Sequence, residues 1–308
     1  MKPILKKLKH LPLLVIAVLL TTELSAITAT DIAQKAYNVN HSLYVKNIMI
    51  KRKRRNMAVV IGRMPNKKPR ITAIERFLSN EFESKNIEAK DLIIIRSGKL
   101  NGMGILMTSY TDPTKSHEYL MWLPALRKVR RMAEPKDAGM GAGDIAFLED
   151  AKLRRFYEEE YELLETKKMD LELLMMPFKK GEFGRYSKNL PYKETTPIKG
   201  RILHLLKSTY KEKDHWYDYR ISYIDSEYFT NYMTDYYKNG ELIKKVYRHW
   251  MPLKNQDDPK AKIWYYWYGK DTKTGYEMMT YVPKKLIKVN QKVKKSFWSE
   301  HTLQKIKR

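Results

Sequence analysis

Cysteine is missing from this sequence of 308 residues. Its absence excludes disulfide bonds, a thiol nucleophile, and a lipid anchor attached through a cysteine near the N-terminus. Without disulfides, folding depends on the hydrophobic core, and a chain of this length is able to form a large one. The core therefore has to be found in the apolar pattern of the sequence.

Sequence patterns typical of enzymes are also missing. The seven histidines show no HxxxH or similar ligand spacing, so no zinc site is predicted. Residues 139–143 read Gly-Met-Gly-Ala-Gly, but no GKS or GKT follows, so they predict a flexible loop rather than a phosphate-binding loop. Asp144, Glu149 and Asp150 are close in sequence, yet nothing indicates an acid–base pair. We predict no catalytic residue, no metal and no cofactor, and hence a protein that is not an enzyme.

The N-terminal apolar run, residues 11–20, is about half as long as the ~20 residues that a membrane-spanning helix needs. Four lysines precede it, and Glu-Leu-Ser-Ala follows at residues 23–26. This order of basic, apolar and small residues predicts a secretory signal peptide over residues 1–26, with an uncleaved membrane anchor as the alternative. Cleavage is predicted after Ala26, and the predicted location is the periplasm of a Gram-negative bacterium.

Acidic residues are few relative to basic ones. The chain has 35 Asp and Glu against 60 Lys and Arg, which gives a formal charge of +25. Such a charge attracts polyanions or anionic membrane surfaces. The predicted export argues against nucleic acid as a partner and favours transient contact with a membrane surface. The basic run 51–55 is predicted to be an exposed hairpin turn between strands at 43–50 and 57–64.

Short apolar runs, separated by polar residues, glycine or proline, make up most of the sequence. One helix is predicted over residues 31–37, where Asp31 and Gln34 match a helix cap. Because the remaining runs have strand length and hairpin spacing, we predict a mainly β (α+β) protein with one antiparallel sheet. Asn239-Gly240 predicts a type I′ turn, since both central positions of that turn have positive φ. The predicted strands are 43–50, 57–64, 70–78, 91–96, 104–110, 118–123, 161–164, 200–210, 216–224, 229–238, 241–250, 261–270, 276–283 and 285–292.

In two segments the apolar residues follow neither the period of a helix nor that of a strand. Residues 151–165 fit a helix by their charge pattern, or a loop followed by a strand at 161–164. Residues 175–199 contain three prolines and two glycines, so they predict a long loop inserted in the sheet. No repeat or linker divides the rest of the chain, and residues 27–308 are predicted to form a single domain.

Two further segments combine apolar side chains with a possible binding role. Residues 122–132 read WLPALRKVRRM, with four cations among evenly spaced apolar residues, and Pro124 marks a strand edge or break. They fit an apolar wall with a cationic rim, or a core strand followed by a basic loop. Residues 263–268 read IWYYWY, so both faces of a strand are aromatic. The second face meets a ligand, or helices and loops cover it.

The sequence resembles the LolA-like outer-membrane lipoprotein-sorting proteins, in the branch that carries a YLPALRKVRR-type motif. The resemblance lies in residues 122–132, 99–107, 161–164, 223–225 and 237–244 and extends over nearly all of residues 27–308, with an unusually long loop insertion at 166–199. It implies a strongly curved antiparallel sheet that forms an incomplete barrel. Short helices or loops would cover it and enclose an apolar cavity.

The same resemblance implies a periplasmic carrier that binds acyl chains of lipoproteins, or a phospholipid-like lipid, and moves them toward the outer membrane. Its expected partners are an inner-membrane transporter and an outer-membrane acceptor. Alternatives are a non-enzymatic accessory protein that docks on an envelope lipid transporter, or an enzyme acting on envelope lipids or glycans. The predicted lipid-binding residues are Leu106, Trp122, Leu123, Leu126, Trp264 and Tyr266, and the predicted head-group or partner contacts are Arg127, Lys128, Arg130 and Arg131.

Overall fold

The computed structural model describes residues 27–54, 56–82, 84–112, 114–133, 156–212 and 215–306. The predicted signal peptide, residues 1–26, lies outside the described residues. So do the glycine-rich stretch 139–143 and the carboxylates Asp144, Glu149 and Asp150. The single domain over residues 27–308 stays a prediction.

One large antiparallel sheet dominates the described residues, and it is not closed into a barrel. Fifteen strands and two short α-helices lie in these residues, so the predicted mainly β fold is confirmed. The elements are α1 Ala29–Asn40, β1 Asn47–Ile50, β2 Ala58–Arg63, β3 Arg70–Ser79, β4 Ile87–Ile95, β5 Gly104–Tyr110, β6 Glu118–Leu123, β7 Lys128–Met132, β8 Glu159–Leu174, β9 Thr195–Tyr210, β10 Tyr219–Asp225, β11 Asn231–Lys238, β12 Glu241–Pro252, β13 Lys262–Asp271, β14 Glu277–Tyr281, β15 Ile287–Val289 and α2 Glu300–Gln304.

The strand order is β7-β6-β5-β4-β3-β2-β14-β13-β12-β11-β10-β9-β8. The two halves of the sheet meet where β2 pairs with β14. β1 and β2 both pair with β3, at residues 76–79 and 70–74 respectively, and β1 also pairs with β15. The basic run is exposed over residues 51–54, and Lys53 and Asn56 form an antiparallel bridge across a turn. The predicted pairing of the two flanking strands is wrong, because β1 and β2 follow one another along the same edge of β3.

The two faces of the sheet carry different apolar clusters. The register pairs Tyr268 with Met279 and Met279 with Ile61, so these three side chains share one face. Trp267 and Val60, their neighbours in sequence, lie on the opposite face. We call the first the arm face and the second the helix face, after the segments that cover them.

Helix α1 covers part of the helix face. Its N-terminus is fixed by a capping box, in which the Thr28 hydroxyl accepts the Asp31 N–H and the Asp31 carboxylate accepts the Thr28 N–H, both at 3.1 Å. The predicted helix is confirmed and extends beyond both predicted ends. Its apolar residues Ile32, Ala33, Ala36 and Val39 are buried with Leu206, Ile224 and Phe229.

A long hairpin covers part of the arm face. β8 and β9 continue past Leu203, where the pairing of β9 with β10 ends, and we call the part beyond, residues 168–202, the arm. The Tyr266 hydroxyl accepts the Met176 N–H at 3.0 Å, and a His249 ring nitrogen lies 3.1 Å from the Leu174 carbonyl. Six apolar residues of the arm are buried with Val59, Ile61 and Met279: Leu171, Leu173, Met175, Met176, Phe183 and Leu190.

The arm corrects the loop insertion predicted at 166–199. Residues 166–174 belong to β8 and residues 195–199 to β9, which leaves 175–194 outside the strands. The buried Leu171 and Leu173 alternate with exposed Glu172 and Leu174. The two-residue period of a strand is therefore present, with one face of the strand against the sheet and the other in solvent. Of the two alternatives for residues 151–165, the strand is found from Glu159 onward, where β8 begins.

Candidate functional site

An open groove of about 1000 Å³ lies on the arm face. Three parts of the chain border it. They are the start of β1, the C-terminal end of β3 with the N-terminal part of β4 and the segment that connects them, and residues 290–298. Its volume is at the upper end of the ~300–1,000 Å³ that small-molecule sites occupy. We call it the groove.

Asn47 attaches the C-terminal wall of the groove to β1. Its side-chain amide donates to the Gln291 carbonyl at 2.8 Å, and its side-chain oxygen accepts the Gln291 N–H at 2.9 Å. The residues that precede Asn47 and Gln291 form another hydrogen bond, in which the Lys46 N–H donates to the Asn290 side-chain oxygen at 2.8 Å. These bonds join residues that are 244 positions apart, so the wall exists only in the folded protein.

Apolar side chains form the floor of the groove. Phe82 and Trp298 meet edge to face with ring centroids 6.3 Å apart, and Ile87 and Val293 also line the space. Trp298 is 6% exposed and belongs to a buried cluster with Leu92, Leu106, Trp122 and Leu303. Helix α2 supplies Leu303 and covers this cluster, so the floor rests on a packed core.

Lysines surround the floor. The Lys90 ammonium donates to the Trp298 carbonyl at 3.2 Å and lies 5.8 Å from the centre of the Phe82 ring. Burial lowers the pKa of Lys90 from its usual value, and the Glu118 carboxylate opposes that shift. Lys292 and Lys295 also line the groove. The arrangement places positive charge directly beside apolar surface.

A second, smaller cavity lies on the helix face, between the C-terminal end of α1 and the sheet. It is about 30 Å³, which is room for about one water. Its walls are mainly apolar, with Arg76 at one side, where the guanidinium donates to the buried Asp91 carboxylate at 2.5 Å. The other lining residues are Asn40, His41, Ser42, Ile48, Ile50, Leu78, Ile263, Trp264 and Val282. We call it the α1 pocket.

The structure divides the predicted lipid-binding residues among several places. Leu106 and Trp122 lie together in the buried cluster beneath the groove. Leu123 follows Trp122 in β6, so it lies on the opposite face of the strand. Leu126 is 56% exposed in the β6–β7 turn.

The two predicted aromatic residues of β13 are also separated. Tyr266 is buried under the arm, where its hydroxyl is bonded to Met176. Trp264 lines the α1 pocket on the helix face. The register shift between His249 and Trp250 in β12 lies opposite these residues and changes the alternation of β13. The six predicted residues therefore do not form one site.

The predicted cationic contacts lie in the β6–β7 turn and on β7, where the sequence predicts a cationic rim or a basic loop. Residues 122–132 form a β-hairpin, in which Arg127 has φ 48° in the turn and Lys128, Arg130 and Arg131 belong to β7. All four side chains are exposed, and Arg131 pairs with Glu118 at 2.5 Å. Their exposure is compatible with contact to a surface, which stays a prediction.

The predicted site includes none of the side chains that line the groove. A signal for it was available at residues 292–298, KVKKSFW, which mix lysines with apolar and aromatic residues much as 122–132 do. The pairing of this segment with Asn47 depends on tertiary structure and has no local signal. Within the described ranges, no helix is both long and apolar enough to cross a bilayer.

No family model matches this chain, and no curated protein does either. Solved structures are similar to it in fold, and three of them are described here. A DUF1329 family protein from Desulfovibrio piger matches with TM-score 0.64 and 14% identity, over 89% of this chain and 98% of the other. A putative outer membrane lipoprotein-sorting protein domain from Vibrio parahaemolyticus matches with TM-score 0.61 and 13% identity, over 89% and 100%.

The third is a LolA superfamily protein from Nitrosomonas europaea, with TM-score 0.56 and 12% identity, over 90% of this chain and 100% of the other. At these identities the comparison establishes the fold alone. The resemblance to LolA-like proteins is therefore confirmed as a likeness of fold, while the branch with the YLPALRKVRR-type motif stays a prediction.

Proposed function

We propose that this protein is a periplasmic carrier that binds the acyl chains of lipoproteins or of other lipids and moves them toward the outer membrane. The role is non-enzymatic. The fold it shares with a putative lipoprotein-sorting domain and a LolA superfamily protein supports a lipid-carrier role. The predicted signal peptide supports the location.

The groove is the single observation that carries this proposal. It combines a ligand-sized volume of about 1000 Å³ with an apolar floor that includes Phe82 and Trp298. Each methylene removed from water contributes about 0.8 kcal/mol, so a floor of this kind binds an alkyl chain without a specific hydrogen-bond pattern. Because the groove is open to solvent, the bound alkyl chain is also able to leave it, as the function of a carrier requires.

A carrier has to meet a donor and an acceptor, and we propose an inner-membrane transporter and an outer-membrane acceptor in these roles. The exposed cations of the β6–β7 hairpin are suited to anionic head groups or to an acidic partner surface. Replacing Arg130 by Glu is expected to weaken capture of the transporter in a pull-down while acyl-probe binding is kept. Unchanged capture would exclude this side chain from the contact.

The carrier function is tested with protein purified from a periplasmic fraction. Native mass spectrometry and lipid extraction are expected to reveal a bound lipid, and the delipidated protein is expected to take up a fluorescent acyl probe. Absence of both would refute the proposal.

A groove-filling variant locates the binding. Ser84 is exposed and lines the groove, so Ser84→Trp places an indole in the space without disturbing the buried floor. The matched control is Ser116→Trp, at an exposed serine outside the groove lining. We expect Ser84→Trp to weaken probe binding about tenfold or more, which is about 1.4 kcal/mol, and Ser116→Trp to leave it unchanged. Equal binding by both variants would place the lipid elsewhere.

A further inference from the structure

Positive charge dominates the rim of the groove. Four lysines line it, Lys46, Lys90, Lys292 and Lys295, against one glutamate, Glu81, which is a net charge of +3 among the lining residues. The Lys46 ammonium and the Glu81 carboxylate lie 3.1 Å apart, but both side chains are more than 60% exposed. Water and salt screen such a pair, so it neutralises little of the attraction that the rim exerts on an anion.

Lys90 is the most constrained of these cations. It projects from β4 onto the arm face, and its ammonium is held by the Trp298 carbonyl above the Phe82 ring. A partly buried cation attracts an anion more strongly than an exposed one, because the effective dielectric constant around it is lower. The single bond to Trp298 uses one of its three N–H donors, which leaves capacity for an anionic oxygen.

The acid that acts on Lys90 is already paired. Glu118 acts on Lys90 electrostatically, but its carboxylate forms an ion pair with Arg131 at 2.5 Å. Glu118 has 24% of its side chain in solvent and is not among the residues that line the groove. The attraction for an anion beside Lys90 is therefore not cancelled within the site.

Charge and apolar surface are close together. The Lys90 ammonium lies 5.8 Å from the Phe82 ring centre, and that ring lies 6.3 Å from the Trp298 ring. An occupant with a charge at one end and an alkyl chain attached directly to it meets both surfaces at once. A neutral polar head of similar size lacks the charge–charge attraction that the lysines exert on an anion.

We propose that the groove selects amphiphiles in which a phosphate or carboxylate head adjoins the alkyl chain, and that Lys46, Lys90 and Lys292 hold that head. The inference rests on the proposed carrier function and names the charge of its cargo. It predicts that a lipid with an anionic head is the natural load, in preference to a chain attached to a neutral head.

Competition against a bound fluorescent acyl probe tests this selection in the full chain. The competitors are dodecyl phosphate, the neutral dodecyl maltoside, and inorganic phosphate alone. We expect dodecyl phosphate to compete about tenfold more strongly than dodecyl maltoside at low salt, and the difference to shrink as salt rises. Inorganic phosphate is expected to compete weakly, because it has no chain for the apolar floor.

A variant pair assigns the effect to the lysines. Lys46→Gln with Lys292→Gln removes two exposed rim charges, and the matched control, Lys193→Gln with Lys199→Gln, removes two exposed charges from the arm. The rim variant is expected to lose about tenfold in affinity for dodecyl phosphate and to bind dodecyl maltoside as before. The arm variant is expected to match the wild type with both.

The outcomes separate the two proposals. Equal competition by the phosphate and maltoside amphiphiles, with no change in the rim variant, overturns selection by charge and leaves lipid carriage standing. Competition by inorganic phosphate as strong as that of dodecyl phosphate also overturns the inference, because it indicates an anion site without a chain-binding surface. If the protein does not take up the acyl probe at all, the proposed carrier function itself is refuted.

Discussion

Replacing Asn47 by alanine is expected to release the C-terminal wall of the groove. Asn47 is 8% exposed, and its side chain makes two reciprocal hydrogen bonds with the backbone of Gln291. Alanine at this position removes both bonds and leaves the Gln291 N–H and carbonyl to find water. The apolar floor keeps its packing, because Asn47 takes no part in the buried cluster around Trp298.

The magnitude follows from the two bonds. A net contribution of about 0.5–1.5 kcal/mol for each gives about 1–3 kcal/mol for the local opening of this segment. That free energy corresponds to an equilibrium constant for opening about 5- to 150-fold larger, and the exchange rate of the Gln291 amide hydrogen rises by the same factor. Asn47→Asp keeps an acceptor for the Gln291 N–H but sets a carboxylate oxygen against the Gln291 carbonyl, so it is also expected to accelerate exchange.

Hydrogen exchange at residue 291, measured by NMR, is the assay. The matched control is Asn189→Ala, at an exposed asparagine of the arm that takes no part in the groove. If Asn47→Ala exchanges at the wild-type rate, the pair of bonds does not hold the wall and the reasoning is refuted. If exchange accelerates, binding of the acyl probe is expected to weaken as well, because the lysine-bearing wall is no longer fixed.

Two further predictions concern the arm. Tyr266→Phe is expected to lower the free energy of unfolding by about 1–3 kcal/mol, because the buried Met176 N–H loses its acceptor. Tyr265→Phe serves as the control, and equal denaturation midpoints for the two variants would contradict this prediction. Burial lowers the pKa of His249, opposed by its bond to the Leu174 carbonyl, so the unfolded chain binds the proton first as pH falls. Stability is therefore expected to decrease below about pH 6.5, the unfolded value, and His249→Gln is expected to flatten that decrease in urea titrations; an unchanged slope would contradict the assignment.

Local features of this fold were predictable from the sequence. Asn239 and Gly240 have φ values of 51° and 76°, as the type I′ turn requires. β5 and β6 occupy the predicted residues 104–110 and 118–123. These elements depend on side-chain alternation and turn chemistry within a few residues, which the sequence carries directly.

Features that depend on distant parts of the chain were not predictable in the same way. The sequence does not predict β7 as a strand, because exposed cations occupy three of its five positions. Its pairing with β6 and the packing of Val129 against the buried cluster around Trp298 stabilise it. The groove joins Lys46, Phe82 and Lys292 from three separate segments. Nothing in the neighbourhood of any one of them indicates the other two.

The pairing of β2 with β14 has a consequence for how the chain reaches this structure. Residues 59–63 meet residues 277–281, so the central seam of the sheet joins strands from opposite ends of the described chain. Contacts between such distant residues form late, because the entropy of closing the loop is lost before any contact compensates for it. Until β14 arrives, β2 has an unpaired edge that is able to pair with other chains. Folding is therefore expected to be slow and concentration-sensitive, and a chain that ends before residue 277 would keep that edge exposed.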